Sequence, residues 1–206
     1  MTSAHVVPTR DWFARDAVDV APLLLGAVLS HETAEGRVSV RLAEVEAYRG
    51  VGEDPGSHAF RGRTVRNAPM FGEGGHLYAY FTYGMHVCLN VVTGVPGAAS
   101  AVLLRGGTVV EGLELARMRR PGASDRDLAR GPARMSTALG VPLAATGADL
   151  LAAPFSLRVA QPAPVGAAGP RTGVSGPGGG GAFPWRFVVP GDPGVSAYRR
   201  HARSED

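Results

Sequence analysis

The sequence predicts one mixed domain of helices and strands, of the α/β or α+β class. Three observations carry this. The chain of 206 residues is long enough for one domain with a real core and short of two comfortable ones. Helix-like and strand-like periodicities alternate along it without an internal repeat or a linker. An apolar content of 45% with a mean hydropathy of +0.02 is that of a globular protein. The expected organisation is a flexible arm over 1–9, one domain over 10–197 and a flexible polar tail over 198–206.

Residues 11–25 carry Trp12, Phe13, Val18, Val20, Leu23 and Leu24 at helical spacing, with Pro22 dividing the helix and Gly26 ending it. Residues 27–30 and 37–48 read as strands around a turn at Ala34, Glu35 and Gly36. Loop signals fill 49–76, a stretch long enough to suggest function or short helices of its own. Strands are expected at 77–83 and 86–93, split by Gly84, and at 99–105. Helices are expected at 111–120 and across 126–139, where Gly131-Pro132 starts a second piece. Residues 157–160 and 185–189 read as strands, and the Pro/Gly/Ala tract at 161–181 as a mobile surface loop.

Composition closes several routes. All 21 basic residues are arginine, so no lysine is present to form a Schiff base, and only the terminal amine could do so. A GC-rich coding bias accounts for that preference, but the chemical consequence holds either way. Cys88 is the lone cysteine, which excludes an internal disulfide and a cysteine-rich zinc site. The spacings of His58, His76, His86, Cys88 and Glu46 match no zinc motif, and FGEGGH (71–76) lacks the setting of a nucleotide-binding loop. No apolar run approaches the roughly 20 residues of a membrane helix. The start of the chain lacks a secretory pattern, so a cytoplasmic location is expected, without a membrane partner. A net charge of +3 permits a phosphate-binding face.

On a strand, Val38, Val40, Leu42, Glu44, Glu46 and Tyr48 share one face, which turns from apolar to acidic as a pocket wall would. Arg41, Ala43, Val45 and Ala47 run the opposite way, so the phase becomes ambiguous near Leu42, and a bulge there would re-aim the strand end. The other reading is an edge strand with two solvated glutamates.

The segments EVEAY (44–48), SHAFRGRTVRNAPMFG (57–72), LYAYFTYGMHVCLN (77–90) and AVLLR (101–105) occur in this order. With them the chain resembles the alkyladenine (3-methyladenine) DNA glycosylase family, the methylpurine DNA glycosylase type. The likeness continues through PLLLG (22–26), GPARM (131–135), RTGV (171–174) and PWRF (184–187). It implies an α+β domain with a curved, mainly antiparallel sheet, surrounding helices and a protruding β-hairpin that enters the DNA minor groove. It makes Glu46 the general base and Arg105 its helper in holding water. Tyr48, His58 and Tyr80 become pocket walls, and Asn90 the residue that crowds the amino group of normal guanine. Tyr83 and Met85 become the wedge into the duplex, and Arg63, Thr64 and Arg66 phosphate contacts. The chain departs from the family pattern in an extra residue between Tyr48 and His58, in Val65 where a proline is usual, and in Arg134 where a lysine is usual.

The implied activity is monofunctional: damaged purines, alkylated above all with deaminated and etheno bases as further candidates, are flipped from duplex DNA. Water then hydrolyses the N-glycosidic bond, without lyase chemistry, cofactor or metal. A monomer acting at the bacterial nucleoid is expected, with abasic-site processing enzymes downstream. The alternatives are a non-catalytic lesion-recognition protein and a small-molecule nucleoside hydrolase.

Overall fold

Apolar alternation over 36–48 produces the longest strand of the protein, and the sheet is built outward from it. The computed structural model describes residues 4–82 and 84–206. The chain begins with β1 (Ala4–Val6), α1 (Arg10–Phe13) and α2 (Ala17–Val20), then a 3₁₀ turn over Ala21–Leu24. Next come β2 (Val28–Thr33), β3 (Gly36–Tyr48), β4 (Leu77–Thr82), β5 (His86–Val92) and β6 (Ala101–Glu111). The helices α3 (Leu113–Arg119) and α4 (Pro132–Leu139) precede β7 (Phe155–Gln161), β8 (Ala167–Gly169) and β9 (Arg186–Val188).

The sheet runs β1-β7-β2-β3-β6-β5-β4, and all of its pairings are antiparallel. With few and short helices beside one large open sheet, the fold is α+β. β2 pairs with β3 only as far as Arg41; beyond it β9 takes the same edge, pairing with Glu44, Val45 and Glu46. β8 in turn pairs with β9.

Besides a shift between Ser39 and Val40 that skips Val110, the β3–β6 ladder contains two opposed irregularities near the end of β3. Leu42 faces Gly107 and Glu44 faces Gly106, so Ala43 is unmatched; Val45 then faces Leu104, which leaves Arg105 unmatched on β6. The first re-aims β3 as the ambiguous phase predicted: Val38, Val40 and Leu42 enter the main core, whereas beyond Ala43 the core residues are Val45 and Ala47. Glu44, Glu46 and Tyr48 are thereby turned to the other face. A smaller cluster, including Met70, Tyr78, Val92 and Ala101, lies on that face with Tyr48 and Tyr80 packed against it.

Several sequence expectations are corrected. The helix expected over 11–25 is broken, because Asp16 accepts a hydrogen bond from the Val18 N–H and starts a new helix there. β6 runs on to Glu111, beyond the expected end at 105, and α3 begins only after Gly112 turns the chain at φ 74°. The helix expected across 126–139 is limited to α4, preceded by a 3₁₀ turn over Asp125–Asp127. Residues 161–181 contribute β8 and bury Arg171, Gly178 and Gly179. The expected arm contributes β1, and within the expected tail Ser204 bridges to Gly176. No helix among the described residues is long and apolar enough to cross a membrane.

Candidate active site

The end of β3 and the unmatched Arg105 of β6 meet at a buried charge cluster. Glu44 and Glu46 are both fully buried. Glu44 is saturated: Oε1 accepts from Arg105 Nε at 3.0 Å and Arg186 Nε at 2.7 Å, and Oε2 from the Ser196 N–H at 2.7 Å. Burial by itself would raise its pKa, but Arg105 and Arg186 outweigh burial and hold the carboxyl below the ordinary range. Glu46 accepts from the Thr172 N–H at 2.7 Å on Oε1 and from the Tyr48 hydroxyl at 2.9 Å on Oε2, with Arg105 Nη1 at 3.4 Å. Burial opposes the charge on Arg105, and the carboxylates of Glu46 and Glu44 more than offset it.

A cleft of about 500 Å³ opens in front of this cluster, within the size range of small-molecule sites. Tyr48, Arg105 and Thr172, the three partners of Glu46, line it, so Glu46 backs the wall rather than forming it. His58, Tyr80 and Asn90 line it as well. The His58 ring stands edge-on to Tyr80 at 4.6 Å, and its Nδ1 lies 3.2 Å from the Tyr78 hydroxyl. Burial, and then the Arg66 charge, lower the His58 pKa below 6.5. Burial raises Tyr78 to about 12 and raises Tyr80 and Tyr48 as well, so all three remain phenols. A neutral His58 and a neutral Tyr78 fit a hydrogen bond donated by the phenol to Nδ1, which leaves Nε2 as a donor. Asn90 donates from Nδ2 to the Tyr78 carbonyl at 2.9 Å, which fixes its amide at the wall.

The structure therefore brings Glu46, Arg105, Tyr48, His58, Tyr80 and Asn90 to one place. The loop residues stand outside it. Arg66 donates to the Phe81 carbonyl at 2.8 Å and stacks on Tyr80, Arg63 lies over the Phe71 ring, and Thr64 is tied to Asn67. Met85 is exposed at the hairpin end. Tyr83 lies outside the described residues.

Two groups at the site escaped the sequence reading. Arg171 is fully buried and grips Asp54 through both terminal nitrogens at 2.6 Å, while also donating to the carbonyls of Ala47 and Gly178. Its guanidinium lies 4.5 Å from the Tyr48 ring centre. This pair ties the loop carrying His58 to the segment carrying Thr172. The second is the Thr172 hydroxyl, which is buried beside the cleft without a hydrogen-bond partner. Only the motif RTGV pointed to this segment, and it marked neither role.

A family model described as methylpurine-DNA glycosylase matches residues 11–193. A protein of Leifsonia xyli subsp. xyli (strain CTCB07) is 63% identical over 202 residues, 96% of this chain and 95% of its own length. One of Streptomyces avermitilis is 55% identical over 199 residues, covering 94% and 92%, and one of Burkholderia lata is 47% identical over 193, covering 91% and 89%. All three carry the provisional name 3-methyladenine DNA glycosylase. With the match spanning nearly the whole domain, the chain belongs to the methylpurine-DNA glycosylase family.

Proposed function

We propose that the protein is a monofunctional DNA glycosylase that excises damaged purines, alkylated ones such as 3-methyladenine above all, from duplex DNA. The observation that carries this reading is the Glu46 carboxylate, oriented by Tyr48, Arg105 and Thr172 at the back of an aromatic cleft. A base inside a duplex is out of reach and must be turned out of the stack, which costs a few kcal/mol. Stacking among Tyr48, His58 and Tyr80 offsets that cost, at about 1–3 kcal/mol per base. Tyr83, with Met85 beside it, would fill the gap left in the duplex.

Breaking the N-glycosidic bond builds positive charge on the sugar. A fixed carboxylate stabilises that charge and takes the proton of the attacking water. The water would occupy the corner between Glu46, Arg105 and the Thr172 hydroxyl. The His58 Nε2–H and the Asn90 amide would distinguish the extruded base from normal purines. Without lysine the side chains offer no amine for strand cleavage, so the product is an intact strand with an abasic site, left to other enzymes.

The test is single-turnover base release, in EDTA, from duplexes carrying one lesion each. Wild type should release the base and leave the strand intact until alkali is added, while Glu46→Gln should bind and release nothing. Full release by Glu46→Gln would remove Glu46 from the mechanism. Tight binding without release by wild type would favour a lesion-recognition protein.

A further inference from the structure

The residues that follow the family match, which ends at 193, pack against the cleft segment and contribute Arg199 to its wall. The Ser196 N–H donates to Glu44. The Gly173 N–H donates to the Arg199 carbonyl at 2.9 Å, the Gly176 N–H to the Arg203 carbonyl at 2.6 Å, and the Ser204 hydroxyl to the Val174 carbonyl at 2.7 Å. The C-terminal segment thus lies along 172–176, the stretch whose Thr172 N–H holds Glu46.

This places Arg199 at the cleft. Two arginines line it, Arg105 and Arg199. Arg105 is nearly buried and committed to Glu44 and Glu46. Arg199 is exposed, and among the described residues its guanidinium makes no hydrogen bond and no ion pair. The neighbouring Arg200 is paired with Asp206 at 3.0 Å. Both buried carboxylates already have their cations, so the Arg199 charge is not required to balance them. An unpaired guanidinium presents a planar fork of donors that matches a phosphate.

We propose that Arg199, delivered by the C-terminal segment, binds a backbone phosphate of the DNA strand beside the nucleotide whose base enters the cleft. The inference rests on the glycosylase reading for the identity of the polymer. It adds a contact from a part of the chain separate from the 63–66 loop.

The experiment measures binding of wild type, Arg199→Ala, Arg199→Lys and Arg200→Ala to a duplex with one tetrahydrofuran abasic analogue, across a range of salt concentrations. Base release from a lesion duplex and thermal unfolding are measured alongside. Arg199→Ala should bind about tenfold more weakly at low salt, with a salt slope shallower by about 0.9, the change expected for one lost phosphate contact. Arg199→Lys should restore most of the slope, and Arg200→Ala should keep the wild-type value. Unchanged affinity and slope in Arg199→Ala, with base release by wild type, overturns this proposal and leaves the glycosylase reading standing. Equal loss in Arg200→Ala, or weaker binding with a lowered Tm and an unchanged slope, also overturns it. A shallower slope in a protein that releases no base keeps the contact and removes the glycosylase reading. Failure of wild type to bind duplex DNA overturns both.

Discussion

Tyr48 donates its phenolic hydrogen to Glu46 at 2.9 Å from two positions further along the same strand. Beyond the bulge at Ala43 both side chains face the cleft side, so one residue serves as pocket wall and as anchor of the carboxylate. Tyr48→Phe keeps the ring and removes the anchor. It should lower single-turnover base release about tenfold, the effect of one hydrogen bond to a charged group, while duplex affinity changes less than about twofold. A rate within twofold of wild type would show that Thr172 and Arg105 orient Glu46 sufficiently.

Thr172 holds Glu46 through its N–H, and its hydroxyl is buried without a partner. Thr172→Val preserves shape and the N–H bond. It should slow base release severalfold with no loss of thermal stability, since an unpaired buried hydroxyl contributes nothing to folding. A gain in stability with an unchanged rate would assign the hydroxyl no part in holding the water.

The Arg171–Asp54 pair is fully buried and two-pronged. Breaking such a pair costs about 3–5 kcal/mol, because the remaining charge stays buried. Arg171→Lys cannot reproduce the fork. Urea unfolding should show a loss of that order for Arg171→Lys and for Asp54→Asn. Base release at a temperature where both remain folded should fall as well, because His58 and Thr172 hang on the two sides of the pair. A loss below about 1 kcal/mol would mean that water replaces the contact.

Acid should destabilise the protein in two steps of the same sign. Folded His58 has its pKa below 6.5, so around and below that value the unfolded chain binds more protons, and stability falls as the pH drops. Glu44 has its carboxyl below 4.5, so its contribution is complete above that value and is lost as the pH falls through the lower folded value. Chemical denaturation between pH 8 and 3 (roughly the span of both groups) should show both steps. His58→Gln should remove the upper one alone.

Much of the fold was legible because its signals are local. The β2–β3 and β4–β5 hairpins follow from alternation and glycine turns, and the clash of phases near Leu42 marked the bulge that aims Glu46. The extension of β6 was hidden by Gly106-Gly107, which reads as a break. In the structure a side chain at Gly106 would meet the Gly194 carbonyl at 2.5 Å, and one at Gly107 the Arg41 carbonyl, so glycine here serves close packing within a strand. The tract at 161–181 misled for the same reason. Gly178 and Gly179 face the backbones of Gly56 and Val174, where no side chain fits. Nothing in the neighbourhood of Arg171 announces its partner, because Asp54 is 117 positions away. The residues of the cleft were reached through the motif resemblance, since spacing alone left Glu44 and Glu46 open to a solvated reading.

The distances spanned by these contacts bear on how the protein comes into being. Glu46 depends on Thr172, 126 positions later, and Glu44 on Ser196, 152 positions later. Closing such long loops is entropically unfavourable and comes slowly. A chain that has folded its hairpins but not yet docked residues 171–199 has its carboxylates without their final partners. On the glycosylase reading, the proposed base therefore gains its orienting partner only when the last third of the chain meets the first. A pulse-refolding time course should find activity returning after the sheet signal, a lag that would keep half-made molecules from acting on DNA.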